Sequence, residues 1–304
     1  MSDIVKITAR PKLKSPNLLA AWPGIGNVAI IIANYLKTKM NFKELGYLEP
    51  SYFFDPIGVA VKDNVVEEPT FPQSDFYYWK NPAGKDLILF IGDDQPPAKS
   101  YELAHCILDV GERFGAERIY TCAAAMTRIH HTEPPKVWGV ATSHLVTYNL
   151  KEYNLESSSN LQIAGLNGLL LGVAKEREID GICLLGEVPT YASRVPNPMA
   201  ALAVLKVLSQ MLEIKVDLAE LAKMAVEAAE RIKQVAAQAM EGLFAVCLQP
   251  FFRAGDRQRR IRVAGGRGAI RCDVYCSRRR PGRYWCRDGA GAARTGIPVA
   301  AEPW

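Results

Sequence analysis

The chain has 304 residues, 49% hydrophobic and 23% charged, with a formal net charge of +5 at pH 7. That composition excludes a disordered or fibrous polypeptide, and its apolar runs, such as Leu87 to Ile91 and the glycine-interrupted Leu166 to Ala174, are too short to span a bilayer. The charge is unevenly spread. Beyond Met240 thirteen arginines face five acids, a balance of +8 that leaves the first 240 residues at −3, so the basic total gives no ground for a nucleic-acid binder.

The segment Met1 to Pro16 is polar and carries no apolar run, so no signal peptide is expected and the chain reads as cytoplasmic. Asn17 to Trp22 is a short apolar strand, Pro23-Gly24-Ile25-Gly26-Asn27 a tight turn, and Val28 to Met40 a helix by its spacing. Tyr47 to Phe54 reads as a strand, followed by strand-like Gly58 to Val61 and Val65-Val66. Phe76 to Trp79 and Asp86 to Gly92 form a hairpin around Asn81 to Lys85. Ser100 to Phe114 is an amphipathic helix and Arg118 to Ala125 a strand, with further strands expected at Pro135 to Thr142 and Gln162 to Leu166. Gly168 to Glu178 is a helix, Gly181 to Gly186 a strand, and Pro198 to Leu212 a helix. The last helix, Leu218 to Ala237, carries one stripe of Leu218, Leu221, Met224, Ala225, Ala228, Ile232 and Val235. Asp217 and Glu220 are spaced as a capping box at its start. Strands alternating with helices predict a three-layer α/β/α fold on a mainly parallel sheet, with helices at its C-terminal end.

After Met240 the texture changes. Lysine outnumbers arginine more than twofold before that point and is absent after it, while Cys247, Cys272, Cys276 and Cys286 cluster there. The run 262–271 has neither helical nor strand periodicity. The chain therefore divides into an α/β domain, 1–240, and a tail, 241–304, expected to be disordered. Its composition fits a frame-shifted reading of GC-rich DNA. An arginine-rich binding arm and a metal module on Cys272, Cys276 and Cys286 are the competing readings, the latter short of ligands. Cys106, Cys122 and Cys183 of the domain read as buried free thiols in a reducing compartment.

Candidate chemistry lies at strand ends, where α/β folds place their sites. The turn around Gly24, Gly26 and Asn27 lets a backbone or ligand approach and offers amides to an anion. About twenty residues on, the nearest acid to a strand end is Glu49 in Tyr47-Leu48-Glu49-Pro50, with Pro50 immediately after it, so a nicotinamide cofactor is not expected. Asp93 and Asp94 follow a strong strand, as a metal pair, an acid–base pair or a loop cap. His130 and His131 precede Thr132 and Glu133, and adjacent histidines on an extended segment point apart, so no metal is expected there. Glu187 ends another strand. Gly24, Gly26, Asn27, Asp93, His131 and Glu187 are expected to converge on one crevice for a small polar ligand. No catalytic set, metal or cofactor is assigned.

Several stretches together resemble a known family. Leu19-Ala20-Ala21-Trp22-Pro23-Gly24-Ile25-Gly26-Asn27-Val28-Ala29 looks like its opening strand, turn and helix, and Cys122-Ala123-Ala124-Ala125 with 131–142 like its central strand and loop. Gly165 to Gly172, 184–189 and 198–201 are similar to its helix entry, last strand and following helix. The chain resembles, over roughly Leu18 to Ala237, the proteasome assembly chaperone family in its archaeal and bacterial branch. That resemblance implies a phosphorylase/hydrolase-like α/β/α core without established catalytic residues. It also implies a role in assembling the 20S proteasome core, with proteasome subunits as partners. Some members dock through a C-terminal hydrophobic–Tyr–any tail; here Glu302-Pro303-Trp304 places Pro at the Tyr position. Two function classes follow: a non-catalytic interaction or assembly protein, and a hydrolase or phosphorylase on nucleoside-like molecules. Self-association is expected from Phe53-Phe54, Phe71 and Tyr77-Tyr78-Trp79, aromatic residues without an evident internal role. No membrane and no specific nucleic-acid partner is expected.

Overall fold

The computed structural model describes residues 4–56, 58–157, 161–235, 261–263 and 270–272. The chain divides into two compact units, Met1–Gln238 and Ala239–Trp304. In the first, the elements run β1 (Val5–Ile7), β2 (Asn17–Ala21), α1 (Val28–Lys39), β3 (Lys43–Leu48), α2 (Pro50–Phe53), β4 (Val61–Lys62), β5 (Val65–Val66), β6 (Ser74–Trp79) and β7 (Leu87–Gly92). They continue through α3 (Ser100–Arg113), β8 (Arg118–Thr127), β9 (Val137–Ala141), α4 (His144–Asn149), α5 (Leu166–Glu176), β10 (Gly181–Pro189) and α6 (Pro198–Met211). A last helix, α7, covers residues 219–235.

The main sheet has eight strands in the order β1-β3-β6-β7-β2-β8-β10-β9. Its centre, β7-β2-β8-β10, is parallel. The flanking pairs β1-β3, β3-β6, β6-β7 and β9-β10 are antiparallel. The mainly parallel sheet expected from the alternation is therefore a mixed one. β6 and β7 form a hairpin, and the chain turns back from β8 through the loop 128–136 into β9, so both flanks run against the parallel strands and pair antiparallel. The central strands carry the apolar runs that burial on both faces requires: all five residues of β2 and all nine of β10 are buried.

Two cores lie on the two faces. Leu19 and Ala21 of β2 and Leu87 and Leu89 of β7 pack with α1, α6 and Leu221 of α7. Leu18, Ala20 and Trp22, with Ile88 and Phe90, point to the other face and pack with α3 and α5. This is the period of two for strands read directly in side chains, and it gives the three-layer arrangement. Trp22 stacks at 5.1 Å on Phe90, which sits 4.8 Å from Phe76. Each such aromatic pair adds about 1 kcal/mol beyond its buried area.

Several expectations are corrected. Tyr47 to Phe54 is not one strand: it ends at Leu48, and Pro50, without an N–H to give the ladder, opens the short helix α2, where Phe54 N donates to Pro50 O at 2.9 Å. Gln162 to Leu166 is no strand but an irregular approach to α5, turned at Gly165 with φ +74°. Asp217 accepts from Ala219 N at 2.9 Å, but Glu220 pairs with Lys39 instead of closing a capping box. Met224 leaves the buried stripe of α7 and is exposed. Phe53, Phe54 and Tyr77 are buried, Phe71 and Tyr78 pack on one core, and Trp79 packs on the other. Their role is internal, and they lend self-association no support. The N-terminal segment, read as polar, supplies the edge strand β1. In the second unit the aperiodic run around 262–271 carries two paired antiparallel strands, β11 (Ile261–Val263) and β12 (Ile270–Cys272). Cys247, Cys276, Cys286 and the final Glu302-Pro303-Trp304 lie outside the described residues.

Candidate functional site

The carboxyl ends of the four parallel strands lie on one edge of the sheet. There β2 runs into the turn Pro23–Asn27, β7 into Asp93, β8 into Ile129–Glu133 and β10 into Tyr191. The turn is built on two left-handed residues, Gly26 at φ 61° and Asn27 at φ 51°. Gly26 is buried: its amide donates to Ser193 O at 3.0 Å, and its carbonyl accepts from Asn197 N at 2.8 Å. A Cβ at Gly26 would stand 3.3 Å from Asn197 Cβ. The turn is thus clamped to the start of α6, where Asn197 Oδ1 caps the helix through Ala200 N at 2.9 Å. Asn27 precedes α1 without a side-chain cap.

A crevice of about 710 Å³ opens beside this turn. Gly24 and Ile25 form one wall, Ala123 to Thr127 of β8 its floor, and Trp138 and Gly165 the far side. Its polar members are carboxamides and a hydroxyl: Gln95, Gln162, Asn167 and Thr127. Among the described residues no ionisable side chain lines it. Gln95 holds the crevice together. Its Nε2 donates to Pro23 O at 2.7 Å, and its Oε1 accepts from Leu166 N at 2.9 Å, joining the β2–α1 turn to the first turn of α5. Asn167 is buried, donates weakly from Nδ2 to Trp22 O at 3.4 Å, and has no partner for Oδ1 among the described residues. Gly24, with extended backbone, sets no side chain against that amide; a Cβ there would stand 3.7 Å from Asn167 Nδ2.

The six candidate residues do not meet in this crevice. Gly24 lines it. Gly26 is sealed beneath it. Asp93 is exposed and tied to Gln73, donating from its N to Gln73 O at 2.9 Å and accepting Gln73 N on Oδ2 at 3.1 Å. Asp94 accepts from Gln95 N and turns the loop. His131 and Glu187 meet instead in a separate tight cleft with Asn197 and Ile232, which has no room for a water molecule. Glu187 is buried, and both its oxygens are taken: Oε1 accepts from Thr127 Oγ1 at 2.7 Å and Oε2 from Lys136 N at 3.1 Å. It ties the end of β8 to the approach to β9.

His130 and His131 do not point apart. Glu133 N donates to His130 O at 2.9 Å, so the segment turns instead of extending, and the two rings stack at 4.1 Å. His131 Nδ1 lies 2.9 Å from Tyr191 OH. Desolvation, then the neighbouring His130 and Lys233, hold its pKa below the ordinary 6.5. Among the described residues no group of three or more His, Cys, Asp or Glu is placed to hold a metal ion, and no helix is long and apolar enough to cross a membrane. Gln95 and Asn167 were missed in the sequence. The sequence signal for them is a carboxamide beside a strand or helix end: Asn167 interrupts an apolar run, and Gln95 follows the acids Asp93 and Asp94.

The chain matches the PAC2 family over residues 18–236. It is 32% identical over 259 residues to the uncharacterized protein MJ1210 of Methanocaldococcus jannaschii, covering 82% of this chain and 96% of that one. Its fold superposes on PbaB of Pyrococcus furiosus, an archaeal proteasome activator, with a TM-score of 0.65 and 28% identity over 76% of this chain and 98% of that one. It also superposes on PbaA of the same organism, an archaeal homolog of proteasome-assembly chaperone, with a TM-score of 0.60 and 26% identity over 78% and 99% of the two chains. The eight-stranded α/β/α unit and the ordered run of matching segments place the chain in one group with these proteins: it belongs to the PAC2 family.

Proposed function

We propose that this protein is a non-catalytic interaction factor that acts, as a homo-oligomer in the cytoplasm, on proteasome subunits. The observation that carries this is the likeness to PbaB, which takes in 98% of that chain and so nearly all of a proteasome activator's fold. The chemistry of the strand ends supports it. Glu187, Asp93 and Asn197 are engaged in bonds that fasten loops, and the open crevice presents carboxamides and apolar side chains, with no ionisable group among the described residues to move a proton. Such a surface suits contact with polypeptide more than hydrolysis or phosphorolysis.

The test is binding of the full chain to assembled 20S core particles and to free proteasome α-subunits from the same source, followed by native electrophoresis and by peptide hydrolysis. A retarded complex, or a change in assembly or peptidase rate, is expected. Failure to bind either, together with a thermal shift on addition of nucleosides, would overturn the proposal in favour of a small-molecule enzyme.

A further inference from the structure

The segment between α2 and β6 is an arm. Every described residue of 55–70 is exposed. Among the described residues no side-chain hydrogen bond or ion pair ties this segment to the rest of the unit. It is nonetheless ordered in a definite way. Buried Phe54 and half-buried Phe71 root its two ends in the core on the α3–α5 face. Its tip is the hairpin β4-β5, turned at Asp63 and Asn64, both left-handed at φ 49° and 60°, the pair of angles a two-residue hairpin turn needs. Glu67 N closes the stem on Ala60 O at 2.9 Å.

A two-stranded hairpin is marginal in water by itself. This one spends four β-branched apolar residues on solvent: Val59, Val61, Val65 and Val66 are 51%, 65%, 66% and 64% exposed. Such clustering on an outlying element marks a contact surface. The arm is also acidic, with Asp55, Asp63, Glu67 and Glu68 against Lys62.

A matching receptor lies elsewhere on the same unit. A groove of about 650 Å³ runs between the approach to β9 and α6. Its floor is apolar, with half-buried Met199, Leu202, Ala203 and Val207. Lys136, Glu156 and Lys206 stand on its rim, a balance of +1. Lys136 pairs with Glu156 at 3.0 Å, while Lys206 has no acidic partner within 4.0 Å among the described residues. The groove belongs to the α1–α6 face and the β9 edge; the arm is rooted on the opposite face, beside β3 and β6 near the other edge. A chain that carries both does not fill its own groove with its own arm.

We propose that the arm, 55–70, docks through its valine hairpin into the groove along α6 of a second copy of this chain. Different surfaces on the two partners make the contact heterologous, the kind that builds a ring where the rotation from copy to copy closes and a filament where it does not. This rests on the homo-oligomer of the proposed function, and names the surfaces that bring it about.

The experiment uses the full chain and reads mass by light scattering at micromolar concentration. Two variants are compared with the wild type: Val61→Asp with Val66→Asp on the arm, and Ala203→Glu with Lys206→Glu in the groove. The wild type is expected to be larger than a dimer. Each variant should be monomeric, the arm variant losing about a hundredfold in association from the two valines it no longer buries. Mixed in equal amounts, the two variants should form a one-to-one dimer, because one keeps its groove and the other its arm. Thermal melts report folding, and the arm variant, altered only at exposed positions, should melt with the wild-type chain. An oligomeric arm variant, or no complex in the mixture of two folded variants, overturns the arm-and-groove contact and leaves self-association standing. A monomeric wild type overturns both.

Discussion

Gly26 and Gly24 sit two residues apart in the same turn, yet an added methyl group should be costly at the first and harmless at the second. Gly26 holds φ at +61°, in the left-handed region, where alanine costs about 1 kcal/mol relative to glycine. Its Cβ would also press on Asn197 Cβ at 3.3 Å and Val188 Cγ2 at 3.4 Å, both buried and held by the start of α6 and by β10. Overpacking of that kind costs about 1–3 kcal/mol. Gly26→Ala should therefore lose about 2–4 kcal/mol, which for a unit of this size lowers the melting temperature by about 5–15 °C. Gly24 has φ −170°, extended backbone open to any residue, and its nearest neighbour would be Asn167 Nδ2 at 3.7 Å. Gly24→Ala should leave the melt within about 2 °C of wild type. Thermal unfolding followed by circular dichroism of the two variants is the assay. A Gly26→Ala chain that melts like the wild type, or a Gly24→Ala chain that falls as far, would show that the turn is not clamped to α6 as described.

Gln95→Ala removes the bridge from Pro23 O to Leu166 N, and should cost about 2 kcal/mol by denaturant titration; a loss below about 0.5 kcal/mol would mean the crevice wall stands without it. Cys122 and Cys183 are fully buried, and burial pushes the Cys183 thiol up to about 12 and that of Cys122 well above its usual range. Thiol labelling mapped by mass at pH 8 should miss both in the native chain and find both in guanidinium, and native labelling of either refutes their place in the core. His131 should titrate below 6.5 by NMR. Since the folded state then holds fewer protons than the unfolded one, stability should fall as the pH drops below 6.5 toward the folded value; a midpoint above 6.5 would refute its desolvated setting. Limited trypsin digestion should leave a core ending near Arg231 or Lys233, and a resistant tail spanning Cys272 and Cys286 would overturn the reading of residues beyond 240 as outside the fold.

What the sequence reveals of the fold follows from which forces are local. The central strands are legible because burial on both faces demands unbroken apolar runs such as 87–91, and α1, α3 and α6 because one face of each must be apolar. The edges are not legible. Strand β1 has all three residues half-buried and sits in a polar stretch, so its pairing with Gly46 to Leu48 is decided by a neighbour distant in sequence. Pro50 was the available sign that the strand through Tyr47 had to stop. The aromatic residues misled for a related reason. Tyr77 looks idle in a hairpin strand, yet its hydroxyl donates to Asp75 Oδ2 at 3.0 Å within that strand and accepts from Lys37 Nζ of α1, distant in sequence, at 2.7 Å.

The site shows the same division more sharply. Residue types at strand ends could be read, but whether their polar atoms are free could not, because that depends on partners brought by other elements. Glu187 has the address of a catalytic carboxylate, at the carboxyl end of a central parallel strand. Thr127 and Lys136 N take both its oxygens, which makes it a fastening between β8 and β9. A base must face its substrate, and this carboxylate is buried, bonded on each oxygen, and set in a cleft with no room for a water molecule. Glu187→Gln separates the two roles. The amide keeps one acceptor but turns a donor toward either Thr127 Oγ1 or Lys136 N. The hydroxyl of Thr127 can rotate to accept, whereas the N–H of Lys136 cannot, so the variant should retain the fold with a modest loss of about 1 kcal/mol. Glu187→Ala, which strands both donors in a buried setting, should lose about 2–4 kcal/mol. If proteasome binding survives Glu187→Gln in a folded chain, the carboxylate serves the architecture; if the fold is untouched and binding is lost, Glu187 belongs to the working surface and its place as a fastening is wrong.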